Sequence, residues 1–351
     1  MAVITERARA KINLTLRVLG RRADGYHELE SLVAFADVGD VITLNTDALA
    51  VDDRTGWTVT MSGPFAGALV GDNLIATTLQ RLAATCPALR LGAVHLDKQL
   101  PVASGLGGGS ADAAAVLRAV RRANADNPAG QDVPWEQIAA SLGADVPVCF
   151  ANGSAWMHGI GDRLQPVPGL PELHAVLVNP LGAVPPDKTA RVFRTLNAPP
   201  SPTAQPDPEA RRETPLPAVL AEFGGPGMER AERCRALLAF MREQGNSLSV
   251  ATQQVVPEIS DVIRALNSVA LGLEATNITA APEIGTSAPQ VPAPATLKNT
   301  GTLVAMSGAG PTCFVVVPSA AHAAQIAATL RRRQPTWWVA ATRFGRTGLH
   351  E

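Results

Sequence analysis

Residues 101–110 have the composition of a phosphate-binding loop. Four of the five residues from 105 to 109 are glycine, and an alanine-rich segment that favours a helix follows at once. Glycines leave backbone N–H groups open to a ligand, and the positive end of a helix dipole strengthens their attraction for anions. We therefore predict a polyphosphate as the ligand of this loop, although a glycine-rich turn before a helix can also bind nothing.

Three further segments carry polar side chains that can complete such a site. Lys11 and Asn13 are two positions apart on a predicted strand, so both point to one face. Tyr26, the only tyrosine, is followed by His27, and the two can stack on a flat ring and hydrogen-bond its edge. Asp145 lies between a predicted helix and a predicted strand, where its carboxylate can pair with a lysine and orient a hydroxyl. Each also has an ordinary structural interpretation, as a surface lysine, a packed turn or a capping aspartate.

Other nucleotide-binding plans fit the chain poorly. A P-loop would need a Gly-Lys-Ser/Thr ending, and the glycine run has none. Ser110 stands where a protein-kinase loop would have its third glycine. Asp126 has the spacing of the acidic residue that binds the ribose in a Rossmann fold. The residues before it, however, predict a helix and a polar loop, without the strand that this fold requires. A second glycine turn at 307–310 is either a tight turn or a close approach of backbone to a ligand.

Composition limits the class of protein. The chain has 351 residues, of which 46% are hydrophobic and 17% charged, which predicts a globular protein of up to two domains. A net charge of −1 gives no basic excess for nucleic acid, and no apolar run is long enough for a membrane span. Cys86, Cys149, Cys234 and Cys313 are far apart, which favours free thiols. With no signal-peptide pattern at the first residues, we expect a cytoplasmic protein.

The elements that would position these residues follow from hydrophobic periodicity. Strands are predicted at 12–18, 30–35, 40–44, 57–61, 94–98, 175–178, 302–306, 313–317 and 337–341. Helices are predicted at 74–85, from the glycine loop to about 124, and at 135–142, 229–243, 257–271 and 320–333. A strand-rich half followed by a helical half predicts an α+β architecture. We divide it into domains at 1–168 and 169–351, with proline-rich insertions near 200–217 and 281–297.

The order of these segments, more than any one of them, resembles the GHMP small-molecule kinases. The matching segments are Ala-Lys-Ile-Asn-Leu at 10–14, Arg-Ala-Asp-Gly-Tyr-His at 22–27, Leu-Gly-Gly-Gly-Ser-Ala-Asp-Ala-Ala at 106–114, Leu-Gly-Ala-Asp-Val-Pro at 142–147 and Ser-Gly-Ala-Gly at 307–310. The resemblance covers residues 8–195 well and 230–345 loosely. It implies an N-terminal domain like domain 2 of ribosomal protein S5, a ferredoxin-like C-terminal domain, and an active site in the cleft between them.

The resemblance also implies an ATP site and a magnesium ion. Asn73, Leu74 and Lys98 match positions that line the adenine site in the family. Mg²⁺ would bridge the ATP phosphates, with Ser110 or water as candidate contacts and no carboxylate assigned as its ligand. The phosphates would be held by the loop residues Pro101, Val102, Ala103, Ser104, Gly105, Leu106, Gly107, Gly108, Gly109, Ser110 and Ala111.

On the substrate side, the resemblance implies a small cytidylyl sugar alcohol phosphorylated at its 2-hydroxyl, in non-mevalonate isoprenoid precursor synthesis. Tyr26 would stack on the cytosine and His27 would hydrogen-bond its edge. Asn13 would help to hold the sugar alcohol. Asp145 would orient the hydroxyl, and Lys11 would pair with Asp145 and stabilise negative charge during transfer.

Some alternatives stay open at the level of sequence. Another GHMP kinase, acting on homoserine, mevalonate or a sugar, shares the glycine loop but has no need of the Tyr-His pair. A non-catalytic nucleotide-binding protein would have no need of Lys11 and Asp145. Residues 182–189 depart from the short Ser/Thr-Pro segment expected in the family, so the sequence leaves the second aromatic of a cytosine site unplaced. We expect a monomer or homodimer that binds neither nucleic acid nor membrane.

Overall fold

The computed structural model describes residues 3–47, 56–68, 73–201, 216–223, 225, 227–270 and 301–345. The predicted insertion at 281–297 lies outside these residues, as does most of the one at 200–217. The four cysteines, all within the described ranges, are free thiols. Within those same ranges, no helix combines the length and apolar character needed to cross a bilayer.

The described strands and helices follow one another mostly in runs of several strands or several helices. The strands are β1 (Val3–Asn13), β2 (Arg17–Arg21), β3 (His27–Asn45), β4 (Trp57–Ser62), β5 (Gly92–Asp97), β6 (Ala155–Gly159), β7 (Arg163–Pro166), β8 (Leu173–Asn179), β9 (Leu303–Met306), β10 (Cys313–Val317) and β11 (Trp338–Phe344). The helices are α1 (Leu74–Thr85), α2 (Gly108–Ala123), α3 (Pro128–Gln131), α4 (Trp135–Leu142), α5 (Val146–Ala151), α6 (Lys188–Leu196), α7 (Ala218–Glu222), α8 (Arg230–Gln244), α9 (Ser249–Val255), α10 (Glu258–Ala270) and α11 (Ala320–Arg333).

The long strand β3 organises the sheet. The strands of the sheet follow the order β4-β5-β3-β11-β8-β10-β9, and β1, β2 and β6 also pair with β3. The pairing is antiparallel in each of these described pairs except β4 with β5. A single register pair, Phe344 with Ala36, joins β11 to β3. The strands of both halves of the chain are therefore connected through β3.

The prediction of two strands at 30–35 and 40–44 is wrong, since β3 runs through both without a break. Gly39, which suggests a turn, instead allows a close backbone approach. A β-carbon there would lie 2.3 Å from the carbonyl oxygen of Ala8. The register of β1 against β3 shifts between Arg9 and Lys11, beside this contact. Residues 36–38 of β3 lie there opposite the single residue Ala10 of β1, so the bulge is in β3 itself, and Gly39 at its end allows β1 to approach closely.

Two other predicted strands are corrected. The strand predicted at 12–18 is interrupted after Asn13, where Thr15 Oγ1 accepts the backbone N–H of Leu32 and the Leu16 N–H donates to Gly245. These contacts replace regular pairing, and β2 begins only at Arg17. The segment after Asp145 is not a strand, because Pro147 lies in the first turn of helix α5. Several short elements were also not predicted, namely α3, α5, α6, α7, α9, β6 and β7.

The helices cover the sheet and bury three apolar clusters. One lies between the N-terminal strands and α1, α2, α4 and α5. A second lies among C-terminal strands and helices. The third combines residues of both halves, including Ile12, Leu32 and Trp156 from one and Leu177 and Phe344 from the other. The two halves therefore share part of their core.

Candidate active site

Lys11 and Asp145 meet at the wall of a cavity of about 500 Å³. Lys11 follows the register shift between β1 and β3, and Asp145 directly precedes α5. The Lys11 Nζ lies 2.6 Å from Asp145 Oδ1. The lysine side chain is buried, whereas that of Asp145 is 35% exposed. The pair thus presents a carboxylate to the cavity with its charge balanced by a buried ammonium.

The glycine loop packs directly against this pair. Gly107 has a φ of 63° and directly precedes α2. A β-carbon at Gly107 would lie 3.3 Å from Lys11 Cβ, and the Lys11 N–H donates to the Leu106 carbonyl at 2.9 Å. No side chain caps α2, and its first turn has no acidic residue. Its first N–H groups are therefore available to an anion.

The loop residues differ in what they can offer a ligand. Leu106 and Ala111 are buried in apolar clusters and serve packing. Ser104 is also buried, and its carbonyl accepts the Thr312 N–H at 3.1 Å. Val102 is exposed. The surface that an anion can reach is mainly the backbone of the glycines and of the first turn of α2.

The second glycine turn closes against the first loop. A β-carbon at Gly105 would lie 2.5 Å from the Gly310 carbonyl oxygen. Ser307 Oγ accepts the Asn13 N–H at 3.1 Å and donates to the Gly105 carbonyl at 3.2 Å. The Asn13 side chain in turn donates from Nδ2 to Ser31 Oγ at 2.7 Å. Asn13 is therefore fixed in the cavity wall by contacts on both sides.

An aromatic stack lies between β3 and α6, beside the cavity. The rings of His27 and Phe193 are 4.5 Å apart at an angle of 27°, and Phe193 lines the cavity. Tyr26 is 61% exposed, so its ring is open to a ligand. Burial and the charge of Arg21 lower the pKa of His27. The imidazole is therefore neutral near pH 7 and can both donate and accept a hydrogen bond.

The sequence analysis missed Phe193. Val192 and Phe193 form an apolar pair shortly after residues 182–189. Because those residues depart from the family pattern, the sequence does not place this ring in a cytosine site. The ring is useful only because α6 packs across from β3, and that packing has no local signature. The sequence also gave no role to the buried Lys188, whose side chain lines the same cavity.

The three residues expected at the adenine site have different structural roles. Asn73 caps α1, with its Oδ1 accepting the Ile75 N–H at 3.0 Å, and Leu74 begins that helix. The Lys98 ammonium is buried and lies 2.5 Å from Asp40 Oδ2 and 2.8 Å from Asp112 Oδ2. It therefore supports the start of α2 from behind the glycine loop. The Lys98 backbone is also occupied, since its N–H donates to the Ser62 carbonyl at 2.8 Å and its carbonyl accepts the Phe65 N–H at 3.3 Å.

The described ranges contain no group of three His, Cys, Asp or Glu side chains that could hold a metal. Oxygen donors of the kind that Mg²⁺ prefers are nevertheless at hand, in the Asp145 carboxylate and the Ser110 hydroxyl in the first turn of α2. Magnesium commonly completes its shell with phosphate and water. The residues therefore fit an ion that arrives with a nucleotide.

Fold and site together define a small-molecule kinase of the GHMP class. Residues 73–153 match the family model for the GHMP kinases N terminal domain, and residues 295–336 match that for GHMP kinases C terminal. The chain belongs to the GHMP kinase family, and the predicted α+β fold is confirmed.

Within that family, the chain is similar to proteins that carry one name. A protein of Rhodopseudomonas palustris (strain BisA53) named 4-diphosphocytidyl-2-C-methyl-D-erythritol kinase is 38% identical over 97% of both chains. One of the same name from Paracoccus denitrificans is 37% identical over 96% of this chain and 95% of its own. A crystal structure of 4-(cytidine 5'-diphospho)-2C-methyl-D-erythritol kinase superposes with a TM-score of 0.63 at 26% identity, covering 97% of this chain and 99% of that one.

Proposed function

We propose that the protein transfers the γ-phosphoryl group of ATP to the 2-hydroxyl of 4-diphosphocytidyl-2-C-methyl-D-erythritol. The Lys11–Asp145 pair is the observation that carries the proposal, because it lines one cavity with Gly107, at the uncapped start of α2, and with Phe193 of the aromatic stack. The first of these features suits a polyphosphate, and the second suits a nucleobase. The similarity to proteins of that name supports the choice of substrate.

In this reaction, a bond forms between the substrate 2-oxygen and the γ-phosphorus as the bond to the bridging oxygen of ADP breaks. Asp145 accepts the hydrogen bond of the 2-hydroxyl and takes its proton. Lys11 holds that carboxylate in place and offsets charge on the transferring group. Since little proton removal is needed early in a loose transition state, positioning and charge neutralisation supply most of the catalysis.

The remaining contacts are assigned on the same basis. The first-turn N–H groups of α2 hold the ATP phosphates, Asn73 and Leu74 line the adenine site, and Lys98 supports it from behind the glycine loop. Tyr26 and Phe193 enclose the cytosine, with His27 at its edge, and Asn13 holds the sugar alcohol. Mg²⁺, held by the phosphates, water and Ser110, would supply further charge neutralisation when bound. A cytoplasmic location and a monomeric or homodimeric state stay predictions.

An ADP-release assay tests the substrate. The cytidylyl sugar alcohol should be turned over, whereas homoserine and mevalonate should not. A preference for homoserine or mevalonate would assign the chain to another GHMP activity.

The matched variant for the chemistry is Asp145→Asn, which keeps the shape of the side chain. We expect kcat to fall by about 10²–10⁴-fold while ATP still binds. Asp126→Asn, at an exposed aspartate paired only with Arg90 among the described ion pairs, is the control and should leave turnover unchanged. Normal turnover by Asp145→Asn would exclude the proposed mechanism.

A further inference from the structure

Lys188 is a buried cation in the wall of the cavity. It is the first residue of α6, and only 5% of its surface is exposed. Its Nζ donates to the Ala103 carbonyl at 3.2 Å and also to the Gly310 carbonyl. These acceptors belong to the two glycine segments that meet at Gly105. An ammonium carries three donors, so the described contacts use two of them.

The charge of Lys188 has no carboxylate partner among the described ion pairs. Its neighbour Asp187 bonds instead to Arg191 at 2.6 Å and to Arg194 at 3.1 Å. The other buried lysines are different, since Lys11 has one carboxylate and Lys98 has two. A buried unpaired charge is costly, and burial lowers the pKa of Lys188 to about 8.

The cavity gives that charge a partner when a ligand binds. Lys188 shares the cavity lining with Lys11, Asp145, Gly105 and Gly107, and Phe193 lies on the same helix. It therefore lies among the residues that face the transferring group and the nucleobase. We propose that Lys188 binds phosphoryl oxygens in this cavity, as a second cation beside Lys11. The inference rests on the proposed function, and its phosphates belong either to ATP or to the diphosphate of the substrate.

A purely structural clamp between the two glycine segments is the rival explanation. Lys188→Gln distinguishes a phosphate contact from a structural clamp, because the amide keeps N–H donors for both carbonyls and removes only the charge. Lys188→Met removes charge and donors together. Arg191→Gln is the matched control, since it removes a positive charge from the exposed face of the same helix.

The measurement compares ligands with and without phosphates. Binding of CDP is compared with that of cytidine, and binding of a non-hydrolysable ATP analogue with that of adenosine. We expect Lys188→Gln and Lys188→Met to lose about tenfold or more of the advantage that phosphates confer in at least one pair. Arg191→Gln should retain it. Loss in the CDP pair assigns the contact to the substrate, and loss in the ATP pair assigns it to the donor.

Two results would overturn the proposal. One is an unchanged phosphate advantage in both pairs for Lys188→Gln, which would leave only the clamp. The other needs no variant: acetylation of Lys188 in the wild-type protein, followed by mass spectrometry, should be slowed by CDP or the ATP analogue much more than by the nucleosides. Equal protection by nucleosides contradicts a phosphate contact. If the wild-type protein bound neither cytidine nor CDP, the proposed function would fail, while the ATP pair would still test Lys188.

Discussion

At the level of single residues, the proposed choice of substrate rests on Tyr26, His27 and Phe193. The Tyr26 ring is open to solvent, and the Phe193 ring already lies against His27. A nucleobase in this position would gain stacking from aromatic faces and a hydrogen bond from a neutral imidazole. Homoserine and mevalonate carry no ring that could use these contacts.

Removing either aromatic ring should weaken the substrate and leave ATP unaffected. For Tyr26→Ala and Phe193→Ala we expect a loss of about 1–3 kcal/mol in binding the cytidylyl compound, the range of base–aromatic stacking. Calorimetric titration measures it, with the KM for ATP followed in parallel. Tyr26→Phe keeps the ring and is the control. Unchanged affinity in both alanine variants would reject the stacking role.

Much of the candidate site could be predicted residue by residue. Lys11 and Asp145 could be singled out from the strand and loop patterns around them, and they do meet. Phe193 could not be, because its contact with His27 depends on how α6 packs against β3. Lys98 shows the same limit, since its position in the sequence does not reveal that its ammonium points away from the ligand toward Asp40 and Asp112.

At the scale of elements, the site depends on the docking of two glycine segments. Gly105 has a φ of 79°, and a side chain there would collide with the Gly310 backbone. Gly109 lies in the first turn of α2, where a β-carbon would meet nothing within 4 Å. The same substitution should therefore have opposite effects at two positions of one loop.

We expect Gly105→Ala to lower the melting temperature and to weaken ATP binding, because the left-handed backbone and the clash with Gly310 each destabilise the docked loop. Gly109→Ala should leave the melting temperature unchanged or raise it, since alanine favours a helix. Thermal unfolding with and without ATP measures both effects. Equal melting temperatures for the two variants would show that the docking of the loops is not required.

A buried triad anchors α2 to the sheet. Lys98 on the segment after β5 contacts Asp40 of β3 and Asp112 of α2. Burial raises the pKa of Asp112 to about 8 from an ordinary value of 3.8. The attraction of Lys98 opposes this increase, and repulsion from Asp40 adds to it. Between about pH 4 and 8, the folded protein therefore keeps a proton on Asp112 that the unfolded chain has lost.

This difference gives the stability a defined pH dependence. Between about pH 4 and 8 the folded state binds more protons than the unfolded state, so this group makes the free energy of unfolding fall as the pH rises. Asp112→Asn cannot titrate and should show a flatter slope across that window. Urea unfolding at several pH values measures it, and an identical slope in the variant would contradict the raised pKa.

The bounds of single helices were easier to predict than the pairing of strands. Helix α1 could be placed at its observed bounds because Asn73 supplies a cap and the apolar residues recur at helical spacing. Strand β3 could not, because in the sequence Gly39 looks the same whether it lies in a turn or in a strand that contains a bulge. What the glycine does there is determined by β1, a long-range partner.

At the scale of the whole molecule, both halves of the chain contribute to one apolar cluster. Ile12 and Trp156 pack in it together with Leu177 and Phe344, and Arg343 reaches back to Asp37 at 2.7 Å. The predicted domain division at 168/169 cuts through this cluster. Each half alone would expose apolar surface that is buried in the intact chain.

The intact protein should therefore unfold as one unit despite its two family domains. We expect a single calorimetric transition whose measured enthalpy equals the van 't Hoff enthalpy. A fragment of residues 1–168 should lack a sharp transition and bind the dye ANS, since its part of the shared cluster would face water. Two resolved transitions in the full chain, or a fragment that melts cooperatively without binding the dye, would instead mean that each half is stabilised by its own core, and the shared cluster would then be an interface between independent domains.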